Sequence, residues 1–209
     1  VGIVKDGKVV YSKGFGVSSL TTNQKMTDET LVGIASNSKG FTATALAMLV
    51  DEGKLSFDDK VSQYIPEFQM NDAYVSQEVT IKDLITHRAG LGLGQGDLMF
   101  FPEGGSLSVK DIVHNVRYLK PEHSFRTTLD YNNIMFIVAG EVIHRVSGLS
   151  WADFIEQRIL KSVGMTASFG SYNRAKAANV SNIISAHAPV DGKVIAVPHD
   201  WNETANAAG

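Results

Sequence analysis

The sequence predicts a mixed α/β fold in which a sheet domain is interrupted by a helical region. Three observations point there. Hairpin signals stand near both ends of the chain, at Asp6-Gly7 and Asp191-Gly192. The segment between them is dense in helix-opening patterns. Glycines and prolines punctuate that segment where helices should stop.

Residues 1–20 read as a β-hairpin. Ile3-Val4 and Val9-Val10-Tyr11 flank Asp6-Gly7, a dipeptide that tolerates the positive φ of a tight turn. Leu31–Ile34 reads as a strand. Residues 38–52 follow as a helix that is apolar nearly all round, which predicts burial among other elements, with Gly53 as its stop. Four later segments open on a capping-box pattern: Ser56…Asp59, Thr80…Asp83, Ser108…Asp111 and Ser150…Asp153. A further helix is expected over Ile134–Val146. Gly90, Gly148 and Gly164 lie where helices should end, and Pro66 and Pro121 separate elements. Asp191-Gly192 with Val194–Val197 returns the chain to sheet. The resulting organisation is a first part of the sheet domain with one helix (1–55), a helical region (56–164) and the start of a return to sheet (165–209). No internal repeat or low-complexity tract interrupts it.

The chain has 209 residues, 44% of them hydrophobic, and a formal net charge of −3. That length supports one large domain or two small ones with a real core. The small negative charge points away from nucleic-acid binding. No apolar run reaches bilayer-spanning length, so no membrane span is expected in this chain. There are no cysteines, which excludes disulfides, thiol catalysis and Cys-based metal sites. The chain opens at Val1 in what reads as mid-strand and stops at Ala207-Ala-Gly209 without a terminating feature. A start is therefore expected to have been removed and a continuation to be missing.

The chemistry concentrates in two short motifs. Ser36-Asn-Ser-Lys39 follows the expected strand and opens the apolar helix. Residues three apart at a helix start share a face, so Lys39 can reach the Ser36 hydroxyl. A serine hydroxyl is a poor nucleophile until something takes its proton. A lysine shielded from water gives up its own proton more readily and can serve as that base. Free backbone N–H groups at the helix start favour negative charge developing nearby. Taken alone the pattern is weak. It arises about once by chance in a chain this long, and an N-cap Ser followed by a solvated Lys is its ordinary alternative. Here it is the only Ser-x-x-Lys, and it sits at a strand-to-buried-helix junction. The second motif is Tyr131-Asn-Asn133, the only Tyr-x-Asn. A Tyr hydroxyl beside an ammonium can relay protons, and an Asn amide can bind a substrate carbonyl. The alternative is a core Tyr with Asn132 or Asn133 as helix N-cap.

The two motifs stand in a longer ordered series. Ile34–Ala43, Leu49–Val61, Tyr64–Phe68, Val79–Leu91, Asp130–Asn133, Val138–Glu141 and Val146–Gly148 together resemble the serine β-lactamase-like hydrolases. The likeness is greatest to the branch that holds class C β-lactamases, D-alanyl-D-alanine carboxypeptidases and related esterases. It spans almost the whole chain in the family's order. It implies an antiparallel sheet flanked by helices, with an inserted mostly helical region and the active site between them. It also implies that Ser36 is acylated, and that Lys39 and Tyr131 share proton transfer as a coupled pair. Asn133 would bind a substrate carbonyl, and the Ser36 N–H would form half of the oxyanion hole. The substrate is then a small molecule or peptide carrying an amide, β-lactam or ester. A periplasmic or secreted setting follows from the family's relation to cell-wall chemistry. A penicillin-recognising sensor module with little turnover is the rival reading from another class, and a degenerate, purely structural relative is a third.

The chain departs from the family pattern in three places. The Lys-Thr-Gly or His-x-Gly type triplet of a late strand is absent, since Asp191-Gly-Lys193 reads as a turn, and its place lies beyond Gly209. Gly40 follows Lys39 where a larger residue is usual. Phe125-Arg126 replaces a frequent Pro-Gly. Other features carry less. Gly90–Gly96 is glycine-rich but follows a helix and reads as a loop near the site mouth, not a dinucleotide site. Gly148-Leu-Ser150 lacks the strand a nucleophile elbow needs, so Ser150 reads as an N-cap. None of the six His residues has metal-ligand spacing, so neither metal nor cofactor is expected. His87 reads as a structural His or a helix-dipole partner. Asp97–Pro102 lines a substrate pocket or packs over the helical region. Nothing in the pattern specifies an oligomeric state.

Overall fold

A computed structural model describes residues 1–101, 105–199 and 203–209. The architecture is mixed α and β, and the chain forms two compact units.

The first unit comprises residues 1–33 and 173–200. It holds three antiparallel two-stranded ribbons among the described residues: β1 (Gly2–Lys5) with β2 (Lys8–Ser12), β3 (Val17–Ser19) with β4 (Gln24–Lys25), and β5 (His187–Val190) with β6 (Lys193–Ala196). The two Asp-Gly turns form as expected. Asp6, Gly7, Asp191 and Gly192 all have positive φ, between 48° and 75°, the geometry a two-residue hairpin demands. The strand expected over Leu31–Ile34 does not extend. Leu31 makes a single parallel bridge to Ile183, donating to Asn182 O and accepting from Ile184 N. Its neighbour Thr30 donates through Oγ1 to the Asn182 side chain at 2.9 Å. Beyond the bridge the chain turns through Ala35 at φ +46°, which stops any ladder.

The second unit comprises residues 34–172 and 201–209 and is built around one helix. Its helices are α1 (Ser38–Asp51), α2 (Val61–Tyr64), α3 (Ala73–Glu78), α4 (Ile81–Ile85), α5 (Val109–Asn115), α6 (Ile134–Ser147) and α7 (Trp151–Phe154), which runs on into a π-helical stretch over Ile155–Leu160. α6 is central, and α1, α2, α4, α5 and α7 pack on it. Ile134 through Gly140, Val142 and Ile143 are all buried, because the first two turns are apolar on every side, while the last turn exposes His144 and Arg145. Gly148 at φ +74° ends it with its N–H on His144 O. α1 is buried on one stripe instead of all round. Ser38, Lys39, Thr42, Ala45, Leu46 and Leu49 are covered, whereas Gly40 and Thr44 are exposed. Small Ala, Gly and Thr residues make that outer face tolerable in either environment.

Three of the four capping patterns act at helix starts. Thr80 and Ser108 form full capping boxes with Asp83 and Asp111, and Ser150 accepts the Asp153 N–H at 3.1 Å. Ser56 and Asp59 instead close a turn, the Ser56 N–H donating to Asp59 at 2.6 Å. The helix starts later because Lys60 stays extended, bridging to Thr80 while Val61 N–H goes to Val79 O.

The segment that carries Tyr131 is fastened by an ion pair. Arg126, at φ +63°, donates Nε to Asp83 Oδ1 at 2.9 Å and Nη2 to Asp83 Oδ2 at 2.7 Å. A left-handed backbone costs a non-glycine residue about 1 kcal/mol. The bidentate pair with a buried carboxylate offsets that cost, so an Arg is held at a position whose backbone conformation favours Gly. Burial pushes the Asp83 carboxyl up, but its bonds from Arg126 and Thr80 outweigh burial and hold it below the ordinary value. A lowered carboxyl pKa stabilises the fold above the unfolded-state value, and that stability is lost as pH falls through the folded-state value. Arg126→Ala should therefore lower stability by about 1–2 kcal/mol at neutral pH, a figure discounted for the half-exposed guanidinium. The gap to wild type should shrink as pH falls below the ordinary carboxylate range and through the lowered folded-state value, where Asp83 gains its proton. Arg126→Gly should lose about 1 kcal/mol less than Arg126→Ala, because glycine removes the strain. Chemical denaturation across pH measures both.

The C-terminal residues 203–209 pack against α1 and α6. Ala205, Ala207 and Ala208 are buried, and a Cβ on Gly140 would lie 2.6 Å from the Ala207 Cβ. Gly140→Ala should cost about 1–3 kcal/mol by overpacking. Adding Ala207→Gly should recover most of the loss, as read by the thermal midpoint.

Candidate active site

Ser36 sits in a short 3-10 turn, Ala35–Asn37, which leads directly into α1. Ala35 holds φ +46° to aim that turn, and Ser36 is exposed. Lys39, one turn on, is 7% exposed. Its ammonium donates to Ser36 Oγ at 3.1 Å, Asn133 Oδ1 at 2.7 Å and the Ala208 carbonyl at 2.5 Å. Three N–H donors meet three acceptors, all uncharged. The sequence pair Ser36–Lys39 is thus a real contact, and the solvated-lysine alternative does not hold.

Tyr131 lies immediately before α6 and donates its hydroxyl to Ser36 Oγ at 2.6 Å. The Lys39 Nζ stands 4.8 Å from the Tyr131 ring centroid and 5.4 Å from that of Phe136. Burial pushes the Tyr131 phenol up, but bonds with Lys39 and Ser36 and the charge of Lys39 together bring it below its ordinary value. The four residues singled out in the sequence, Ser36, Lys39, Tyr131 and Asn133, are therefore joined by one hydrogen-bond network. All of them lie in the second unit.

The two asparagines divide the work that the sequence left ambiguous. Asn132 is 1% exposed and takes the structural part. Its Oδ1 accepts the Met135 N–H, capping α6, and its Nδ2 donates to Gly92 O and Gln95 O at 2.9 Å each. Asn133 is left free for the site. Its oxygen takes Lys39, and one Nδ2 hydrogen goes to Asp97 Oδ2 at 3.0 Å.

Two neighbours complete the surroundings of the site: Asp97, from the run that the sequence reads as pocket lining or packing, and His87, read as a structural His or a helix-dipole partner. Asp97 follows Gly96, whose φ is +89° and whose missing Cβ would meet Ile134 at 2.8 Å and Leu119 at 2.9 Å. The glycine-rich loop is therefore a close-packed arm that delivers a carboxylate. Burial raises the Asp97 pKa, against the opposing pull of Asn133 and Lys39. Within the run Asp97–Pro102, Phe100 is fully buried, Met99 and Phe101 pack on the core, and Leu98 is exposed; Pro102 lies outside the described residues. The second neighbour is His87, at φ +58°. Its ring lies 4.5 Å from that of Tyr131 and 5.1 Å from that of Phe136, and its Nδ1 accepts the Asn132 N–H at 3.2 Å. Burial, then the charge of Lys39, lowers its pKa, so it serves as a neutral buttress and not as a cationic dipole partner. Only the glycines around Asp97 offered a sequence signal, and only the fold puts His87 behind Tyr131. Among the described residues no group of three His, Cys, Asp or Glu side chains is arranged to hold a metal, and no single helix is long and apolar enough to cross a membrane.

The chain is similar to known proteins over most of its length. The chain is 32% identical over 179 residues to "Unguisins hydrolase ungD'" of Aspergillus campestris, a match covering 83% of the chain and 33% of that protein. The octameric penicillin-binding protein homologue from Pyrococcus abyssi superposes with a TM-score of 0.80 at 29% identity, over 98% of this chain and 47% of that one. A class C β-lactamase gives 0.76 at 25% identity, over 99% and 53% respectively. The chain thus spans about a third of the first relative's length and about half of each solved chain. The family model described as Beta-lactamase matches residues 1–209, and on that match the chain belongs to the β-lactamase family.

Proposed function

We propose that the chain carries the nucleophile part of a serine acyl-hydrolase that acylates Ser36 with an amide, β-lactam or ester. One observation carries the reading: the exposed Ser36 Oγ is met by both Lys39 Nζ and Tyr131 OH, at 3.1 and 2.6 Å. In the form seen, both groups point hydrogens at the hydroxyl. With the amine neutral, the Lys39 contact reverses and Ser36 donates into the nitrogen lone pair. Ser36 Oγ then attacks the acyl carbon, and its proton passes to Lys39 or Tyr131. The leaving nitrogen or oxygen takes a proton from Tyr131 as its bond to the acyl carbon breaks. Water, deprotonated by the same pair, then cleaves the acyl ester and restores Ser36. The remaining Asn133 N–H is directed to a substrate carbonyl. The Ser36 N–H, just ahead of α1, supplies one oxyanion donor. Family membership and the relative described as a hydrolase support hydrolysis as the reaction class.

Intact-mass spectrometry of the complete protein after brief exposure to a β-lactam and to an aryl ester tests this. An adduct that forms on Ser36 and then clears is the expected result, and the faster compound names the substrate class. Ser36→Ala should cut hydrolysis by at least about 10⁴-fold. Tyr131→Phe should cut acylation by about 10²–10⁴-fold. An adduct that never clears would replace the hydrolase reading with that of a penicillin-recognising sensor. Hydrolysis unchanged in Ser36→Ala would sink both.

A further inference from the structure

We propose that Asp97 is a positioning residue of the Ser36 site: through Asn133 it fixes which end of that amide faces Lys39, and it sets a negative charge beside the Lys39–Tyr131 pair. The inference rests on the proposed proton-transfer roles of those two residues.

The first support is the logic of donors and acceptors. An Asn side chain is nearly symmetrical in shape, so its neighbours decide which way it points. Lys39 has only hydrogens to offer and demands the amide oxygen. An ionised carboxylate can only accept and demands the amide nitrogen. The two demands agree, and together they hold Asn133 in one orientation. Among the described residues the Asp97 carboxylate is the partner of Asn133 Nδ2, so without it the amide orientation rests on Lys39 alone.

The second support is what Asp97 costs. Its Oδ1 is buried without a hydrogen-bond partner among the described residues. An unsatisfied buried carboxylate oxygen is expensive, and a neutral amide could accept from Asn133 equally well. The charge itself is therefore the feature that calls for an explanation. The ammonium it faces has only neutral acceptors: a hydroxyl, an amide and a peptide carbonyl.

The third support is rigidity. Asn132 pins Gly92 O and Gln95 O, and Gly96 fits only because it lacks a Cβ, so the backbone that delivers Asp97 is fixed from both sides. The titratable groups around Tyr131 are Lys39 from α1, His87 from the turn after α4, and Asp97 from the glycine-rich loop. Lys39 favours the phenolate, and the Asp97 charge opposes it.

The test compares Asp97→Asn and Asp97→Leu in the complete protein. Asp97→Asn keeps an acceptor for Asn133 but removes the charge. The phenolate midpoint of Tyr131, read by ultraviolet difference titration against Tyr131→Phe in the same background, should fall by about half a pH unit or more. The acid limb of the acylation profile should move the same way, with the optimum rate within about tenfold of wild type. Asp97→Leu should show the same fall in midpoint and lose about a further tenfold in acylation rate, because its Asn133 is then oriented by Lys39 alone. An unchanged Tyr131 midpoint in Asp97→Asn would overturn the proposal, as would equal acylation rates in the two variants. The titration needs no turnover. If wild type fails to acylate, the proposed function falls while the Tyr131 midpoint still decides for or against the charge role.

Discussion

A lysine ammonium that is almost wholly out of water must have its three hydrogens met, or the fold would lose several kcal/mol in desolvation alone. Lys39 meets this constraint with one local acceptor, in the turn ahead of α1, and two distant ones, at the start of α6 and in the C-terminal segment. The surrounding packing serves that closure. Thr42, one turn beyond Lys39, donates to Ala207 O at 2.7 Å and accepts the Trp151 indole N–H at 2.9 Å. Gly140 leaves room for the Ala207 methyl. The same residues that hold residues 203–209 against the helices thus hold the Ala208 carbonyl on the ammonium.

The second organising feature is the join between α4 and α6. His87 and Arg88 after α4 receive Asp130 N and Arg126 N on their carbonyls, so the segment leading to Tyr131 lies along that turn. Arg126 secures one end of the segment to α4, and the His87 ring backs Tyr131 at the other. The Tyr131 hydroxyl is in this way directed at Ser36 by groups that never touch Ser36. Each of these side chains is held by packed or hydrogen-bonded neighbours and not by its own backbone alone.

Much of the fold was legible locally. The Asp-Gly turns announced both end hairpins because few other pairs tolerate two successive positive φ angles. Thr80, Ser108 and Ser150 marked helix starts through bonds that span only three residues. Local reading failed where a distant partner intervened. Ser56…Asp59 has the same pattern as the others, yet the Lys60–Thr80 bridge keeps the chain extended past it. Leu31–Ile34 has strand composition but, among the described residues, finds a bridging partner only at Leu31. The apolar look of α1 concealed an exposed face made of residues small enough to suit water or core.

The sequence by itself determined the class of fold, the helix boundaries set by caps and glycines, and the family's ordered motifs, with Ser36, Lys39, Tyr131 and Asn133 among them. These are written in short spacings, and short spacings act through local hydrogen bonds and covalent reach. Tertiary structure alone decided the rest. It tied the Asn132 amide to Gly92 and Gln95, turned the Asn133 oxygen to Lys39, gave Lys39 the Ala208 carbonyl, and put His87 behind Tyr131. It also brought Asp97 to Asn133, 36 residues away in the chain. Each of these depends on contacts between segments far apart in sequence, and such contacts exist only once the helices have packed on α6.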